Sequence, residues 1–233
     1  MVTNFDKKTQ TLRPIYDFPL PALTEDLGAR GNIYRKIKSG SQVLDVGCDT
    51  GRFGEALTLE KGCIVDGIEP YQPAAEIAQN RLHQIFTQAI EDEHSFKQLK
   101  DYDVVLFLCV LEHLVDPWSI LKGAQSALRM GGSIYIIVPN IAHISIVRRL
   151  LKGKFEYSQY GAMDCTHLRW FTRSSLRKSL EDAGFSNVEV DVIPQVPYLS
   201  SRLFLLRSFK NLLTKVFPDQ LGGSIIGCGH KLN

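Results

Sequence analysis

Short apolar runs alternate along this chain with segments in which apolar residues recur at every third or fourth position. Apolar runs of this length are typical of buried strands, and the wider spacing is typical of amphipathic helices. The pattern predicts strands near 42–47, 63–68, 84–88, 103–109, 133–138, 187–193 and 224–230, with helices between them. This alternation indicates an α/β fold with a Rossmann-like doubly wound sheet, mostly parallel.

Several helices have recognisable boundaries. One begins at Asp116-Pro117, where a capping side chain precedes a proline suited to the first helical turn, and it ends at Gly131-Gly132. Another begins at Thr172 and ends at Gly184. A further helix is expected over about 24–38.

The chain is expected to form one domain over 1–233, because no repeat or low-complexity linker divides it. Residues 1–40 are predicted to form an N-terminal lead-in and helix. Residues 139–172 form an insertion that is too long for a simple connection. It follows the fifth strand, so it must cover the carboxyl edge of the sheet and is a candidate lid or acceptor segment.

Composition narrows the function classes. The net charge of +2 is too small to indicate nucleic acid as a partner. Residues 1–8 lack the apolar core of a signal peptide, and the longest apolar run, 104–111, is too short to cross a bilayer. We therefore expect a cytoplasmic protein without an integral membrane segment. Five cysteines without Cys-x-x-Cys spacing indicate neither a disulfide framework nor a zinc cluster.

Residues 43–54 carry the clearest functional pattern, because an apolar run ending in Asp45 breaks into a turn that holds Gly47 and Gly51. Glycine serves where φ is positive or where a ligand approaches the backbone closely. The following helix directs its first N–H groups at that turn, which predicts an anion site. A second apolar run ends at Glu69-Pro70, where nucleotide-binding α/β folds place an acid against ribose hydroxyls.

The turn does not match a dinucleotide-binding sequence. The three glycine positions of that motif are occupied here by Gly47, Asp49 and Arg52. A carboxylate at Asp49 would repel a pyrophosphate, but it suits a ligand that carries an ammonium group beside a carboxylate. S-adenosylmethionine has both groups and a ribose, and it is therefore the predicted cofactor.

With these features the chain resembles the class I S-adenosylmethionine-dependent methyltransferases from about residue 42 onward. Four motifs occur in the family's order, at 45–51, 68–70, 89–91 and 103–108, although the family more often has glycine at the position of Asp49. The resemblance implies that the last strand lies antiparallel between the fifth and sixth. It also implies cofactor contacts at Asp45, Gly47, Cys48, Asp49, Gly51, Glu69, Pro70, Ala89, Ile90 and Cys109.

Methyl transfer from a sulfonium is an in-line displacement, so most of the catalysis should come from positioning. A hydroxyl acceptor also benefits from a general base, for which histidine is well suited. His113 follows the fourth strand, where the methyl group should point, and is a candidate base or positioning residue. Alternatively, Glu112 and His113 form a polar pair that caps the next helix.

The Glu-His pair also raises the question of a metal. Ubiquinone-type O-methyltransferases and small-RNA 2′-O-methyltransferases carry Glu-x-x-Glu-His here, whereas this chain has Cys109 in place of the first carboxylate. Magnesium prefers hard oxygen ligands, which a thiol does not supply. We therefore expect no metal.

The insertion supplies two further candidate bases, His143 and His167. Asp164 is spaced to pair with His167. The segment 164–172 resembles one found in bacterial methyltransferases of cell-surface polysaccharide pathways, which implies a sugar or nucleotide-linked sugar as acceptor.

Arg169 and Trp170 would give that acceptor a charged and an aromatic wall. The favoured alternative for Trp170 and Phe171 is that they simply anchor the next helix in the core. Two basic amphipathic helices, over 144–155 and 202–217, are expected to dock by their apolar sides. A phosphorylated acceptor for the first, and peripheral contact with an acidic membrane for the second, are less favoured alternatives.

These features predict a cytoplasmic S-adenosylmethionine-dependent methyltransferase that O-methylates a small molecule, a sugar or polysaccharide precursor. A quinone or other phenol is the alternative acceptor. A non-catalytic S-adenosylmethionine-binding partner protein is the alternative from another class. The ionisable residues of the insertion favour the enzyme, and the sequence leaves the oligomeric state and the methylated atom open.

Overall fold

The computed structural model describes residues 28–91, 93–195 and 212–232. Seven strands form one sheet in the order β3-β2-β1-β4-β5-β7-β6. Strand β7 runs antiparallel to both β5 and β6, as predicted, and the other neighbours are parallel. The strands are β1 (Gln42–Val46), β2 (Ile64–Ile68), β3 (Gln84–Phe86), β4 (Tyr102–Leu108), β5 (Leu128–Pro139), β6 (Ser186–Pro194) and β7 (Gly222–His230).

Helices connect these strands, and the predicted capping residues mark two of their starts. Asp116 accepts the N–H of Ser119 at 3.2 Å at the start of α4, and Thr172 forms a capping box with Ser175 at the start of α6. The helices are α1 (Ala29–Lys36), α2 (Arg52–Lys61), α3 (Gln72–Ala78), α4 (Pro117–Ala127), α5 (Ile144–Leu151), α6 (Arg173–Asp182) and α7 (Pro218–Leu221). Residues 212–216 are also helical.

The predicted end of α4 at Gly131-Gly132 is wrong. The chain leaves the helix at Leu128, whose φ of −73° and ψ of 142° are extended, and this residue already pairs with Tyr102 in the sheet. Leu128 is buried, and a buried leucine fits a helix as well as a strand, so the apolar pattern alone does not distinguish the two. Sheet pairing therefore sets this boundary.

Alternating residues of β4 build the core on the two faces of the sheet. Val105 and Phe107 belong to the cluster that includes residues of α4 and α6. Val104 and Leu106 belong to a second cluster with residues of α1 and α2. A strand buried on both faces is characteristic of a doubly wound sheet.

Some predictions lie outside the described residues: the lead-in 1–23, the start of the predicted helix at Thr24 and most of the predicted helix 202–217. The described end of that helix, 212–216, is helical as predicted, but the expected docking by its apolar side is wrong here, because Leu212 and Val216 are 58% and 60% exposed while Thr214 is buried. Within the described residues, no helix is long and apolar enough to cross a bilayer.

Candidate active site

The predicted site forms where the strand order reverses, between β1 and β4. Parallel pairing sets Val46 opposite Phe107, so the carboxyl ends of both strands lie at the same edge. Three segments leave this edge: the glycine turn 47–51, the loop 109–113 and the insertion 139–172. Doubly wound sheets bind ligands in this crevice.

The glycine turn needs its residue types for backbone conformation and packing. Gly47 has a φ of 71°, and a Cβ there would lie 2.6 Å from Cγ2 of Val110. Asp49 has a φ of 50°, a left-handed conformation that aspartate tolerates better than most residues. Glycine adopts this conformation without strain, which agrees with the glycine that the family resemblance implies at this position.

The amides of the turn donate within the protein. Gly47 and Cys48 both donate to the carbonyl of Ile68, at 2.8 and 3.2 Å, and Gly51 donates to the carbonyl of Cys48 at 2.9 Å. These three amides are therefore not part of the predicted anion site, which was assigned to the first N–H groups of the following helix. The start of α2 suits an anion better, because Arg52 follows Gly51 with no side-chain cap.

Glu69 joins the two cofactor motifs. Its carboxylate is buried, and it accepts the N–H of Asp49 at 3.0 Å and the N–H of Tyr71 at 2.8 Å. An acid at the end of the second strand is the group that nucleotide-binding α/β folds place against ribose hydroxyls. The predicted ribose contacts of Glu69 and the adjoining Pro70 stay a prediction.

Asp45 lies buried beneath the turn, and Arg30 is a charged neighbour that the sequence did not reveal. Burial raises the pKa of Asp45 to about 7, the Arg30 guanidinium opposes this shift, and Glu69 adds to it. Arg30 is exposed on α1. Its positive field in the crevice would favour a ligand carboxylate.

The remaining predicted cofactor contacts surround the same turn. Cys48 is buried, and its thiol lies 3.7 Å from the carbonyl of Asp49. In the predicted adenine segment Ile90 is buried, whereas Ala89 is exposed and its carbonyl accepts the hydroxyl of Ser95. The cofactor contacts of Cys48, and the adenine contacts of Ala89 and Ile90, stay predictions.

Glu112 is the most unusual group in the crevice. Both carboxylate oxygens are buried without a hydrogen-bond partner in the described structure. Burial raises the pKa of Glu112 to about 8, its own backbone N–H opposes the shift, and Asp164 adds to it. The residue lies in a short turn, Leu111–His113, and not at the cap of α4, so the capping alternative for Glu112 and His113 is wrong.

His113 is oriented by the insertion. Its Nδ1 lies 3.3 Å from the carbonyl of Thr166 and 3.2 Å from its hydroxyl, and that hydroxyl donates to Asp164 at 2.7 Å. Donation from Nδ1 makes Nε2 the basic nitrogen of the neutral ring. The predicted pairing of Asp164 is thus replaced by contact with Thr166.

His167 brings the insertion into contact with the loop 109–113. Its ring meets that of His113 edge to face with centroids 4.7 Å apart. Its Nδ1 lies 3.3 Å from the carbonyl of Ala162, which again makes Nε2 the basic nitrogen when the ring is neutral. The backbone carbonyl of Glu112 accepts the N–H groups of Leu168 and Arg169, at 2.8 and 3.0 Å, and fixes this approach.

Glu112, His113 and His167 each offer one ligand atom, and these atoms lie within 4.8 Å of one another. Two imidazoles with one carboxylate suit borderline cations such as Zn²⁺ or Fe²⁺ better than Mg²⁺. Our expectation of no metal rested on Cys109, which is exposed at the end of β4. His167 supplies a third ligand that the spacing around Cys109 did not include.

His143 does not join this cluster. It begins α5, where Nδ1 lies 2.7 Å from the hydroxyl of Ser145, and its Nε2 donates to the carbonyl of Gln195 at 2.6 Å. Nε2 thus ties the insertion to Gln195 and Nδ1 bonds within α5, so the position of His143 is structural. This corrects the prediction that made it a candidate base.

The charged and aromatic surface predicted for the acceptor at Arg169 and Trp170 is only partly present. Arg169 faces the start of α4, with its guanidinium 5.6 Å over the ring of Trp118. Trp170 packs edge to face against Phe155 at 5.9 Å, and Phe171 is buried in the core as favoured. Phe155 and Trp170 therefore form a joint aromatic surface within the insertion.

Comparisons with known proteins agree with this architecture. The model of a methyltransferase domain family matches residues 21–190. The ubiquinone biosynthesis O-methyltransferases of Vibrio vulnificus and Escherichia coli are 32% and 28% identical, over 43% and 60% of this chain and 45% and 63% of theirs. The chain thus spans about half the length of these relatives.

A solved structure has the same fold. It is an S-adenosylmethionine-dependent methyltransferase from Archaeoglobus fulgidus, with a TM-score of 0.63 and 19% identity, over 89% of this chain and 97% of that one. The family match covers more than half of the chain, and the glycine turn lies at the expected switch in strand order. The chain therefore belongs to the family of S-adenosylmethionine-dependent methyltransferases.

Proposed function

We propose that this protein transfers the methyl group of S-adenosylmethionine to a hydroxyl oxygen. The observation that carries the proposal is the cluster of Glu112, His113 and His167 at the switch in strand order, beside the cofactor turn. A neutral amine is already a good nucleophile, so an N-methyltransferase has less need of two basic side chains of this kind. A protein that only bound the cofactor would have no use for a buried, unpartnered carboxylate, which costs stability.

The chemistry assigned to His113 and His167 follows from which ring nitrogen of each carries the proton. Nε2 of His113 or His167 takes the proton of the acceptor hydroxyl as the oxygen attacks the methyl carbon. The carbon–sulfur bond breaks, and its electron pair stays on sulfur, which leaves S-adenosylhomocysteine and a methyl ether. The Thr166–Asp164 chain behind His113 keeps its ring in the required orientation.

The acceptor we favour is a phenol of the quinone type. The two curated relatives reported above are named as ubiquinone biosynthesis O-methyltransferases. Phe155, Tyr157 and Trp170 form a connected aromatic surface on the insertion, which suits a planar ring.

A sugar stays a second candidate, because the exposed Arg148 and Lys152 of the insertion suit the phosphates of a nucleotide-linked sugar. Aromatic side chains also stack on sugars, so the aromatic surface alone does not separate the two. The likeness of 164–172 to polysaccharide-pathway enzymes supports this second acceptor.

A cation would change how the cluster works. Glu112, His113 and His167 would hold it, and a bound divalent cation would lower the pKa of the acceptor hydroxyl. The two Nδ1 contacts to backbone carbonyls are the kind of support that metal-binding histidines receive.

Methyl transfer from isotopically labelled S-adenosylmethionine to two acceptor panels, catechol-type phenols and nucleotide-linked sugars, tests the proposal. We expect a methyl ether on a phenol, identified by mass spectrometry, and its loss in His167→Ala. A methylated sugar would replace the first acceptor by the second. Tight cofactor binding with no product from either panel, or a product methylated on nitrogen, would overturn O-methylation.

A further inference from the structure

The insertion exposes an unusual amount of apolar surface beside the crevice. We call the residues concerned the insertion patch. Their exposed fractions are 43% for Leu150, 81% for Leu151, 49% for Phe155, 56% for Tyr157 and 65% for Tyr160. Single exposed apolar residues are ordinary, whereas five within eleven consecutive positions mark an interaction surface.

The insertion patch is built on the body of the protein. His143 fixes the start of α5 through its bond to Gln195, and Ile146 buries the first turn of the helix. Further along, Phe155 packs edge to face against Tyr157 at 5.5 Å and against Trp170 at 5.9 Å. These contacts hold the start of α5 on the body of the protein and hold Phe155 against its aromatic neighbours.

Basic residues alternate with these apolar residues along the chain. Arg148, Lys152 and Lys154 are exposed in the same segment. Glu156 is the single carboxylate between residues 144 and 160, and it pairs with Arg149 at 3.2 Å. Long basic side chains can extend from an apolar surface toward anionic groups, and tyrosine favours the boundary between apolar and aqueous phases.

We propose that the insertion patch docks on the surface of an anionic lipid bilayer. An apolar helix end with exposed basic residues in the same segment matches the boundary between acyl chains and acidic headgroups. An ordinary protein partner would not require this excess of positive charge around leucine and aromatic side chains. The contact is peripheral, because no described helix could cross the bilayer.

This docking has a consequence for the acceptor, which rests on the proposed function. The patch and the Glu112–His113–His167 cluster belong to the same insertion or adjoin it, at the carboxyl edge of the sheet. A bilayer bound by the patch would therefore lie beside the crevice. The acceptor class that this arrangement serves is an amphiphile whose hydroxyl-bearing head leaves the bilayer while its apolar chain stays there.

Flotation with vesicles tests the docking without any methyl transfer. The full chain is mixed with vesicles of phosphatidylcholine containing phosphatidylglycerol, and with vesicles of phosphatidylcholine alone. We expect binding to the first at low salt, and a loss of about tenfold or more in the partition coefficient for Leu151→Glu. The matched control is Leu59→Glu on α2, where the side chain is 79% exposed and far from the insertion in sequence, and its binding should be unchanged.

The charge contribution is tested by Arg148→Gln with Lys152→Gln, which should weaken binding to anionic vesicles and reduce its dependence on salt. Cofactor affinity in each variant shows that the fold is intact. Equal binding by wild type and Leu151→Glu, or no preference for anionic vesicles, would overturn the proposal. Self-association that Leu151→Glu abolishes would overturn it in favour of a second copy. Vesicle binding without any acceptor turnover would leave docking supported and the proposed O-methylation overturned.

Discussion

The imidazole rings of His113 and His167 meet edge to face, with 4.7 Å between their centroids, although one follows β4 and the other ends the insertion. This contact brings two imidazole rings beside the buried carboxylate of Glu112. The insertion therefore contributes a side chain to the candidate site. A variant at either ring tests a role that neither segment performs alone.

Substitution of either ring should slow the chemical step. We expect His113→Ala and His167→Ala to lower the single-turnover rate by about a hundredfold while cofactor affinity changes little, because the base acts only as the acceptor oxygen attacks. His143→Ala is the matched control: it should lower Tm and leave the rate near normal, since its Nδ1 bonds within α5 and its Nε2 ties the insertion to Gln195. Equal rates for all three variants and wild type would remove general-base catalysis.

The same cluster should bind a borderline divalent cation. Titration calorimetry with Zn²⁺ or Co²⁺ is expected to show one site, with affinity lowered about tenfold or more in Glu112→Gln and in His167→Ala. His83→Ala, at a histidine whose side chain is 64% exposed and which pairs with Asp66, should leave that affinity unchanged. Binding that survives loss of Glu112 would place the cation elsewhere, and no binding at all would leave the histidines as bases alone.

Glu112 should make the protein less stable as the pH rises. Its pKa increases from an ordinary 4.5 to about 8 on folding, so the folded state holds a proton that the unfolded chain releases above pH 4.5. Stability is therefore greatest below that pH and falls as the pH rises toward 8.

The variant Glu112→Gln removes this titration. Relative to wild type it should gain roughly 1–4 kcal/mol of unfolding free energy at pH 8 and little at pH 5. Asp45 acts in the same direction, so a weaker slope persists in the variant. Denaturant unfolding at several pH values measures the difference, with the exposed Glu76→Gln as control. A gap that did not widen with pH would mean that Glu112 is ionised in the folded protein.

The sequence predicted the features that depend on neighbours in the chain. The seven strands, the caps at Asp116 and Thr172 and the left-handed turn after Asp45 all follow from local residue types. The antiparallel position of β7 came from resemblance, because nothing local in a strand specifies its neighbour.

Contacts between distant segments were not predictable in this way. His143 and His167 are equivalent candidates in the sequence, yet one holds a helix to the body and the other meets His113. Arg30 gave no signal, because an arginine in an amphipathic helix is ordinarily solvated and only the packed helix brings it to Asp45. Side-chain direction across the crevice depends on tertiary packing, and so the site was only partly foreseen.

Arg30 should contribute to cofactor affinity. Its positive charge near Asp45 would favour the carboxylate of S-adenosylmethionine. We expect Arg30→Gln to raise the Kd about tenfold, through loss of a charge-assisted interaction. Arg35→Gln, on the same helix and also exposed, should leave the Kd unchanged. Equal Kd values for the two variants would place the carboxylate at another group.

Gly47 should tolerate no side chain, for two separable reasons. Its φ is 71°, and a Cβ would lie 2.6 Å from Cγ2 of Val110. Gly40 has a similar φ of 75° but nothing within 4 Å of that position, so Gly40→Ala measures the backbone strain alone. We expect Gly40→Ala to lower the unfolding free energy by about 1 kcal/mol and Gly47→Ala by about 2–4 kcal/mol.

The excess for Gly47→Ala comes from displacing Val110, which is buried in the main core cluster. Gly47→Ala combined with Val110→Ala should recover part of this excess, because the clashing methyl group is then absent. Denaturant unfolding of wild type, Gly47→Ala, Val110→Ala and the double variant measures the coupling between the two positions. If Gly40→Ala and Gly47→Ala lowered the unfolding free energy equally, the close approach of Val110 would have no energetic consequence. Positive φ alone would then explain the glycine at this turn.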